Sequence, residues 1–156
     1  MVNPDGIVLG NYRTNLQGKD MNRNFSAYDD PEAMKKAKCF EVELIREYIR
    51  TNLPMDHSLF RMFLDVHAHS TETSIFIYSP QPPEGELRDV VATRHFPLML
   101  DEMSDSFLFR KCSYNNDKAK KNCARLGMNR DYGLANSYTV ESSVWGYEKK
   151  DKKRTT

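Results

Sequence analysis

The stretch "LFRMFLDVHAHS", residues 59–70, carries the strongest fold signal in this chain. Its first part, residues 59–66, is nearly all apolar, which predicts a strand buried on both faces of an α/β sheet. His67 and His69 follow at a spacing of two, so on a strand both side chains would point to one face. Ligands of open α/β sheets bind beyond the carboxyl ends of strands, so the pair could hold a metal. Both could equally be loop or capping histidines, and His69 could support a ligand without being one.

Helices and strands alternate along the rest of the chain. Apolar residues at helical spacing predict a helix over residues 31–52, with Asp29 or Asp30 as its N-cap. A second helix is predicted over residues 86–104, where Pro97 must kink or divide it. Further strands are predicted over residues 73–79, 106–114, 122–128 and 136–142. The pattern therefore predicts an α/β fold with a mixed sheet and flanking helices.

The first part of the chain, residues 1–30, is rich in Asn, Asp, Gly and Arg and has no clear periodicity. Residues 3–6, "NPDG", have the composition of a turn, with Pro in second and Gly in fourth position. This part is predicted to form a long loop around a short strand. A loop of that length inside a compact domain is usually functional.

Composition excludes several classes of protein. The 156 residues carry 23 Lys and Arg against 22 Asp and Glu, a net charge of +1 that argues against a general nucleic-acid binder. No apolar run has the length of a membrane span. The three cysteines are widely spaced and odd in number, as expected for reduced thiols in a cytosolic protein. We therefore expect a cytoplasmic protein without a nucleic-acid or membrane partner.

Four polar side chains outside the histidine stretch are candidates for a site. Arg13 in "GNYR" and the adjacent Asn22 and Arg23 in "KDMNRN" could bind a carboxylate, since Arg suits bidentate recognition and Asn adds a donor. They could also be ordinary exposed loop residues. Glu141 lies in the β-prone segment "NSYTVESSVWG", where burying a carboxylate is costly unless it is paired or functional. The alternative is that Glu141 faces solvent.

Taken in order, these stretches resemble one family. "NPDG…GNYR…NRN", "DVHAHS…IFIY" and "NSYT-x-E" resemble blocks of the zinc carboxypeptidases of the carboxypeptidase A type. More narrowly, the chain resembles the cytosolic carboxypeptidases, the tubulin deglutamylase group, whose "K-x-K-x-G-T-x-R" stretch is similar to "KAKKNCAR" here. The matches extend over residues 2–148. The resemblance implies a zinc carboxypeptidase-like fold.

The resemblance also implies catalytic roles for individual residues. His67 falls on a His zinc ligand, and one Zn²⁺ ion is expected in the complete domain. Glu141 falls on the general base that activates the zinc-bound water. A catalytic zinc site keeps one position open for this water, and a base takes its proton. Arg13 falls on the arginine that stabilises the oxyanion formed from the scissile carbonyl.

Substrate recognition is implied in the same way. Asn22 and Arg23 fall on the pair that holds the terminal carboxylate of the substrate. Arg125 falls at the base of the pocket for the terminal side chain, where a cation favours acidic residues. The resemblance therefore implies removal of C-terminal amino acids, glutamate among them, from peptide or protein tails such as those of tubulin.

One departure from the family pattern affects the metal. The other two zinc ligands of the family come from a His-x-x-Glu motif upstream of "NPDG", and no such motif occurs here. His57 and His95 are followed three residues later by Phe60 and Leu98. We therefore expect residues 1–148 to be a partial catalytic domain, incomplete at both ends and inactive alone, followed by a charged, disordered tail over residues 149–156.

The alternative function is non-catalytic. With two zinc ligands absent, the chain could be an inactive truncated pseudoenzyme, or a binding module that holds acidic C-termini through Arg13, Arg23 and Arg125. A truncated product that does not fold alone is the third possibility.

Overall fold

A computed structural model describes residues 2–25, 32, 39–53, 59–82 and 87–147. The predicted N-cap at Asp29 or Asp30 and the charged tail over residues 149–156 lie outside these ranges. The helices are α1 (Pro4–Val8), α2 (Phe40–Asn52), α3 (Leu87–Met103) and α4 (Ala124–Tyr132). The strands are β1 (Phe63–His69), β2 (Ile75–Ser79), β3 (Ser113–Tyr114) and β4 (Ser137–Ser143).

The chain divides into two compact units. The first contains Met1–Met62 and Asn116–Leu134, and the second contains Phe63–Asn115 and Ala135–Thr156. Helices α1, α2 and α4 belong to the first unit, and the whole sheet and α3 belong to the second. None of the described helices is both long and apolar enough to cross a membrane.

The sheet of the second unit has four strands in the order β1-β4-β2-β3. Strands β1 and β4 are parallel, β2 is antiparallel to β4, and β3 is parallel to β2. The predicted α/β fold with a mixed sheet is therefore confirmed. The strands predicted over residues 73–79 and 136–142 correspond to β2 and β4. In the range 106–114, a bridge at Phe107 and a 3₁₀ turn precede the short β3.

Strand β1 differs from its prediction in position and in burial. It begins at Phe63 and runs through His69, so both histidines lie within the strand and not after it. The prediction that both faces of this strand are buried was wrong, because Leu64 is 44% and Val66 is 70% exposed. The physical reason is the strand order: within the described residues, β4 is the only strand beside β1.

Helix α3 packs on the sheet through Tyr138 of β4. The phenol ring of Tyr138 stacks on Phe96 with centroids 5.5 Å apart, and its hydroxyl donates to the carbonyl of Thr93 at 3.1 Å. Pro97 lies inside this helix and does not divide it, contrary to one predicted possibility. Proline has no N–H to offer the carbonyl four residues earlier. Here that carbonyl belongs to Thr93, and the Tyr138 hydroxyl takes the place of the missing donor.

The first unit corrects two predictions. The predicted turn "NPDG" is the start of α1: the side chain of Asn3 accepts a hydrogen bond from Gly6 N at 3.1 Å, and Pro4 occupies the first helical position, where proline is tolerated. The predicted short strand is absent from residues 2–25, which contain only an isolated bridge between Thr14 and Asp20.

The strand predicted over residues 122–128 was wrong, because this segment begins α4. The helix starts after Cys123 and ends at Gly133, which adopts the left-handed conformation with φ 65° that favours glycine. A short apolar run does not distinguish a buried helix from a strand. Helix α2 confirms the second half of the helix predicted over residues 31–52, and its Arg46 forms a buried ion pair with Asp131 of α4 at 2.9 Å.

Candidate functional site

His67 and Glu141 lie side by side on the sheet of the second unit. They are register partners in the parallel pair of β1 and β4. Register partners on neighbouring strands direct their side chains to the same face, and parallel strands end at the same edge of a sheet. The structure thus brings together the candidate metal ligand and the candidate general base, which are far apart in sequence.

Asp65 is a partner of His67 that sequence reasoning did not single out. Its Oδ1 lies 2.9 Å from His67 Nε2, and the two side chains are 21% and 29% exposed. A carboxylate on one ring nitrogen fixes the tautomer and the orientation of an imidazole. The signal was present in "DVH", because residues two apart on a strand share a face.

His69 lies on the same face as His67 but in a packed position. Its ring lies against Phe76 with centroids 5.0 Å apart, and Phe76 is the register partner of Glu141 on the other side of β4. Both ring nitrogens of His69 are buried and form no hydrogen bond to the described part of the chain. The position of His69 is therefore set by aromatic packing.

The described residues do not fit a complete zinc site. Within them, no group of three His, Cys, Asp or Glu side chains is placed to hold a metal ion. His95 is exposed on α3, and His57 lies outside the described ranges. His67 thus remains the single candidate ligand among the described residues.

Arg13 and Asp20 form an ion pair in the first unit. Arg13 Nη2 lies 2.7 Å from Asp20 Oδ2, with side-chain exposures of 44% and 24%. The other carboxylate oxygen of Asp20 accepts a hydrogen bond from Asn22 N at 2.9 Å and caps the 3₁₀ turn Met21–Arg23. Asp20 was not a predicted site residue, yet it holds Arg13 beside the turn that carries Asn22.

The turn Met21–Arg23 is fastened to the start of α4. The side-chain oxygen of Asn22 accepts a hydrogen bond from Ala124 N at 2.7 Å, and Phe25 N donates to the carbonyl of Asn122 at 2.9 Å. Arg23 is exposed and donates from Nη1 to the carbonyl of Asn22 at 2.8 Å. The loop of the predicted carboxylate-binding pair therefore has a fixed position.

Arg125 follows Ala124 in the first turn of α4 and is only 4% exposed. Burying a guanidinium is costly unless it is paired or functional. Arg13, Asn22, Arg23 and Arg125 all belong to the first unit, whereas His67 and Glu141 belong to the second.

The known proteins that the chain is similar to, in sequence and in structure, are carboxypeptidases. No family model matches the chain. By sequence, it is 33% identical to cytosolic carboxypeptidase 2 of Danio rerio over 156 residues, which is 99% of this chain and 20% of that protein. It is also 33% identical to cytosolic carboxypeptidase 3 of Bos taurus over 147 residues, covering 94% of this chain and 14% of that protein. The chain thus spans about a fifth of the curated relatives it matches, or less.

By structure, the chain is similar to a metallo-carboxypeptidase from Burkholderia cenocepacia, with a TM-score of 0.69 and 24% identity over 91% of this chain and 34% of that one. A metallo-carboxypeptidase from Pseudomonas aeruginosa gives a TM-score of 0.64 at 22% identity, covering 91% of this chain and 35% of that one. These structures share the fold of the described sheet and helices. Over nearly its whole length, the chain is therefore similar to one segment of the longer cytosolic carboxypeptidases.

Proposed function

We propose that residues 1–148 form part of a cytoplasmic zinc metallocarboxypeptidase that removes C-terminal amino acids, above all glutamate, from protein tails such as those of tubulin. The observation that carries the proposal is the pairing of His67 with Glu141 in register on β1 and β4, in a chain whose relatives are carboxypeptidases. A metal ligand and a general base must lie close together, and this register allows it.

Glu141 is the proposed general base. Its carboxylate would take the proton of the attacking water and deliver it to the leaving amine. His67 is the proposed metal ligand, held by Asp65 at 2.9 Å. A zinc ion at His67 would supply Lewis-acid chemistry and needs further ligands that the described residues do not provide.

Recognition of the substrate is assigned to the first unit. Asn22 and Arg23 are proposed to bind the terminal carboxylate, and Arg125 is proposed to contact an acidic terminal side chain. Arg13 is proposed to stabilise negative charge on the scissile carbonyl oxygen. Support comes from the fixed geometry of these groups: Asp20 bonds both Arg13 and the Asn22 backbone, and Asn22 bonds the first turn of α4.

The test uses the chain completed by an upstream segment that carries a His-x-x-Glu motif, because the chain alone is expected to be inactive. It measures release of glutamate from a peptide with a C-terminal glutamate, with added Zn²⁺, for the completed parent and its Glu141→Gln and His67→Ala variants. The exposed His95→Ala is the matched control for loss of an imidazole. Loss of the general base should lower the rate about 10²–10⁴-fold, while His95→Ala should have no effect. Release unaffected by Glu141→Gln would contradict the proposal. Binding of the peptide without any release would support the binding module for acidic C-termini instead.

A further inference from the structure

Trp145 is the one tryptophan of the chain, and its side chain is 71% exposed. The exposed ring is nevertheless held in place. The indole Nε1 donates to the carbonyl of Ser70 at 2.7 Å, and the backbone N donates to Ser143 Oγ at 3.0 Å. A large aromatic ring that is both exposed and fixed loses little conformational entropy when it contacts a partner.

The segment around Trp145 is bonded to the segment that follows β1. Val144 N donates to the carbonyl of His69 at 3.0 Å, and Ser74 N donates to the carbonyl of Gly146 at 2.9 Å. Ser74 is buried and has φ 73°, a left-handed conformation that is uncommon outside glycine. These bonds hold Trp145 at the carboxyl ends of β1 and β4, the strands that carry His67 and Glu141.

The spacing between Trp145 and Glu141 limits which residue of a bound peptide can contact the Trp145 ring. Trp145 lies in the turn after β4, so the four residues from Glu141 set an upper limit of about 13 Å on the separation, and a bound extended peptide advances about 3.3 Å for each residue. A ring at Trp145 is therefore within reach of a peptide residue about four positions from a bond that reacts at Glu141. A dipeptide has one residue before that bond and extends only about 3.3 Å toward the ring.

The single donor of the indole ring is already used. Because Nε1 donates to Ser70, the ring offers a partner its apolar face and no hydrogen bond. Such a face packs against peptide planes and the aliphatic parts of side chains with little dependence on their identity. This chemistry suits the main chain of an extended polypeptide.

We propose that Trp145 is a substrate-binding residue that contacts the polypeptide tail several residues before its C-terminus. This inference rests on the proposed function, because it places the reacting bond at Glu141. The ring adds affinity for long tails over short peptides and does not select the terminal residue.

The experiment uses the intrinsic fluorescence of Trp145 in the full chain. The probes are an octapeptide of Gly, Ser and Glu that ends in two glutamates, and the dipeptide Glu-Glu, since neither contains an aromatic residue. The octapeptide should shift the emission to shorter wavelength as the ring leaves water, and the dipeptide should not. By calorimetry, Trp145→Ala should bind the octapeptide about tenfold more weakly and the dipeptide equally well.

Two further variants control for the fold. Trp145→Phe keeps an aromatic face and should retain most of the octapeptide affinity, and Tyr48→Ala removes an aromatic ring that is 66% exposed on α2 and should change nothing. Equal octapeptide affinity in the parent and Trp145→Ala, with both peptides bound, would overturn the inference and leave the proposed function standing. An emission shift that persists when the octapeptide C-terminus is amidated would support the contact at Trp145 and count against C-terminal recognition. Failure of both peptides to bind would overturn both.

Discussion

The side-chain oxygen of Asn22 accepts a hydrogen bond from the backbone N of Ala124 at 2.7 Å. The start of α4 is therefore capped by a residue from a distant loop, since Cys123 makes no side-chain cap of its own. The bond also orients the amide: with its oxygen engaged by the helix, Asn22 can offer a ligand carboxylate only its amide N–H group.

This double role predicts that two substitutions of Asn22 separate stability from binding. Asn22→Ala removes the cap and should lower the free energy of unfolding by about 0.5–2 kcal/mol in urea denaturation. Asn22→Asp keeps an oxygen acceptor at the helix N-terminus and should retain most of the stability. It should still weaken binding of a C-terminal carboxylate because it replaces a donor with a negative charge. Equal loss of stability in both variants would show that the cap is not the stabilising interaction.

Asp20→Asn should change binding more than stability. The variant keeps an oxygen that can accept from Asn22 N but removes the charge that faces Arg13 at 2.7 Å. Arg13 is 44% exposed, so loss of the pair should cost less than about 1 kcal/mol of stability. A free Arg13 should attract an anionic peptide more strongly, an effect that high salt screens. Peptide titrations at two salt concentrations test this, and weaker binding at low salt would contradict it.

The fold was predicted best where the local sequence pattern agrees with the secondary structure that the whole fold requires. Strand β2 and strand β4 were recognised because apolar β-prone residues are bounded by turn residues. Helix α4 was missed because its buried residues, Leu126 and Met128 among them, follow one another closely, as they also do in a buried strand. The strand order, which leaves Leu64 and Val66 of β1 exposed, depends on distant pairing that no local pattern encodes.

The candidate site shows the same limit. Sequence motifs named His67 and Glu141, and the register of β1 with β4 places them together. The partners Asp65 and Asp20 were not named, because Asp65 lies two residues from His67 and Asp20 lies seven residues from Arg13, and carboxylates at such spacings are common. Whether such a carboxylate forms a bond depends on backbone geometry, as between Asp65 and His67 at 2.9 Å.

Deprotonation of Cys112 should lower the free energy of unfolding at alkaline pH. Burial is the main cause that raises the pKa of the Cys112 thiol from 9.0 to about 11. Between these values the unfolded thiol loses its proton while the folded thiol keeps it, so deprotonation favours the unfolded state. Stability should therefore fall by about 1 kcal/mol for each pH unit above pH 9. Urea denaturation at pH 8 to 10.5 tests this against Cys112→Ala, which should show a smaller decrease; parallel pH profiles would exclude Cys112 as the cause.

Ile77 and Val66 should differ sharply in their contribution to stability. Their side chains lie on the same face of the sheet, yet Ile77 is 0% and Val66 is 70% exposed. Ile77→Ala should leave a cavity and cost about 2–5 kcal/mol, whereas Val66→Ala should stay within about 0.5 kcal/mol. Thermal or urea unfolding of both variants provides the measurement. A large cost at Val66 would show that this face of β1 is covered in solution.

Arg125 should set a preference for a C-terminal glutamate over leucine. The side chain is 4% exposed, and a charge-assisted contact in a dry position is worth about 1.5–3 kcal/mol, or about ten- to a hundredfold in affinity. A second source of attraction for acidic peptides is the positive charge of Lys118, Lys120 and Lys121. Salt screens the attraction by the exposed Lys118 and Lys121, which acts mainly on the association rate.

The measurement compares peptides that end in Glu and in Leu at low and high salt. Arg125→Leu should lose the glutamate preference at both salt concentrations, and Arg125→Lys should keep part of it because the charge remains. Lys118→Ala is the matched control, since it removes an exposed charge close in sequence and should lower the affinity for all acidic peptides at low salt only. Circular dichroism of each variant separates loss of recognition from loss of fold. If Arg125→Leu is folded and keeps the Glu-to-Leu ratio, or if high salt alone abolishes the preference, then selectivity comes from the surface lysines and not from Arg125.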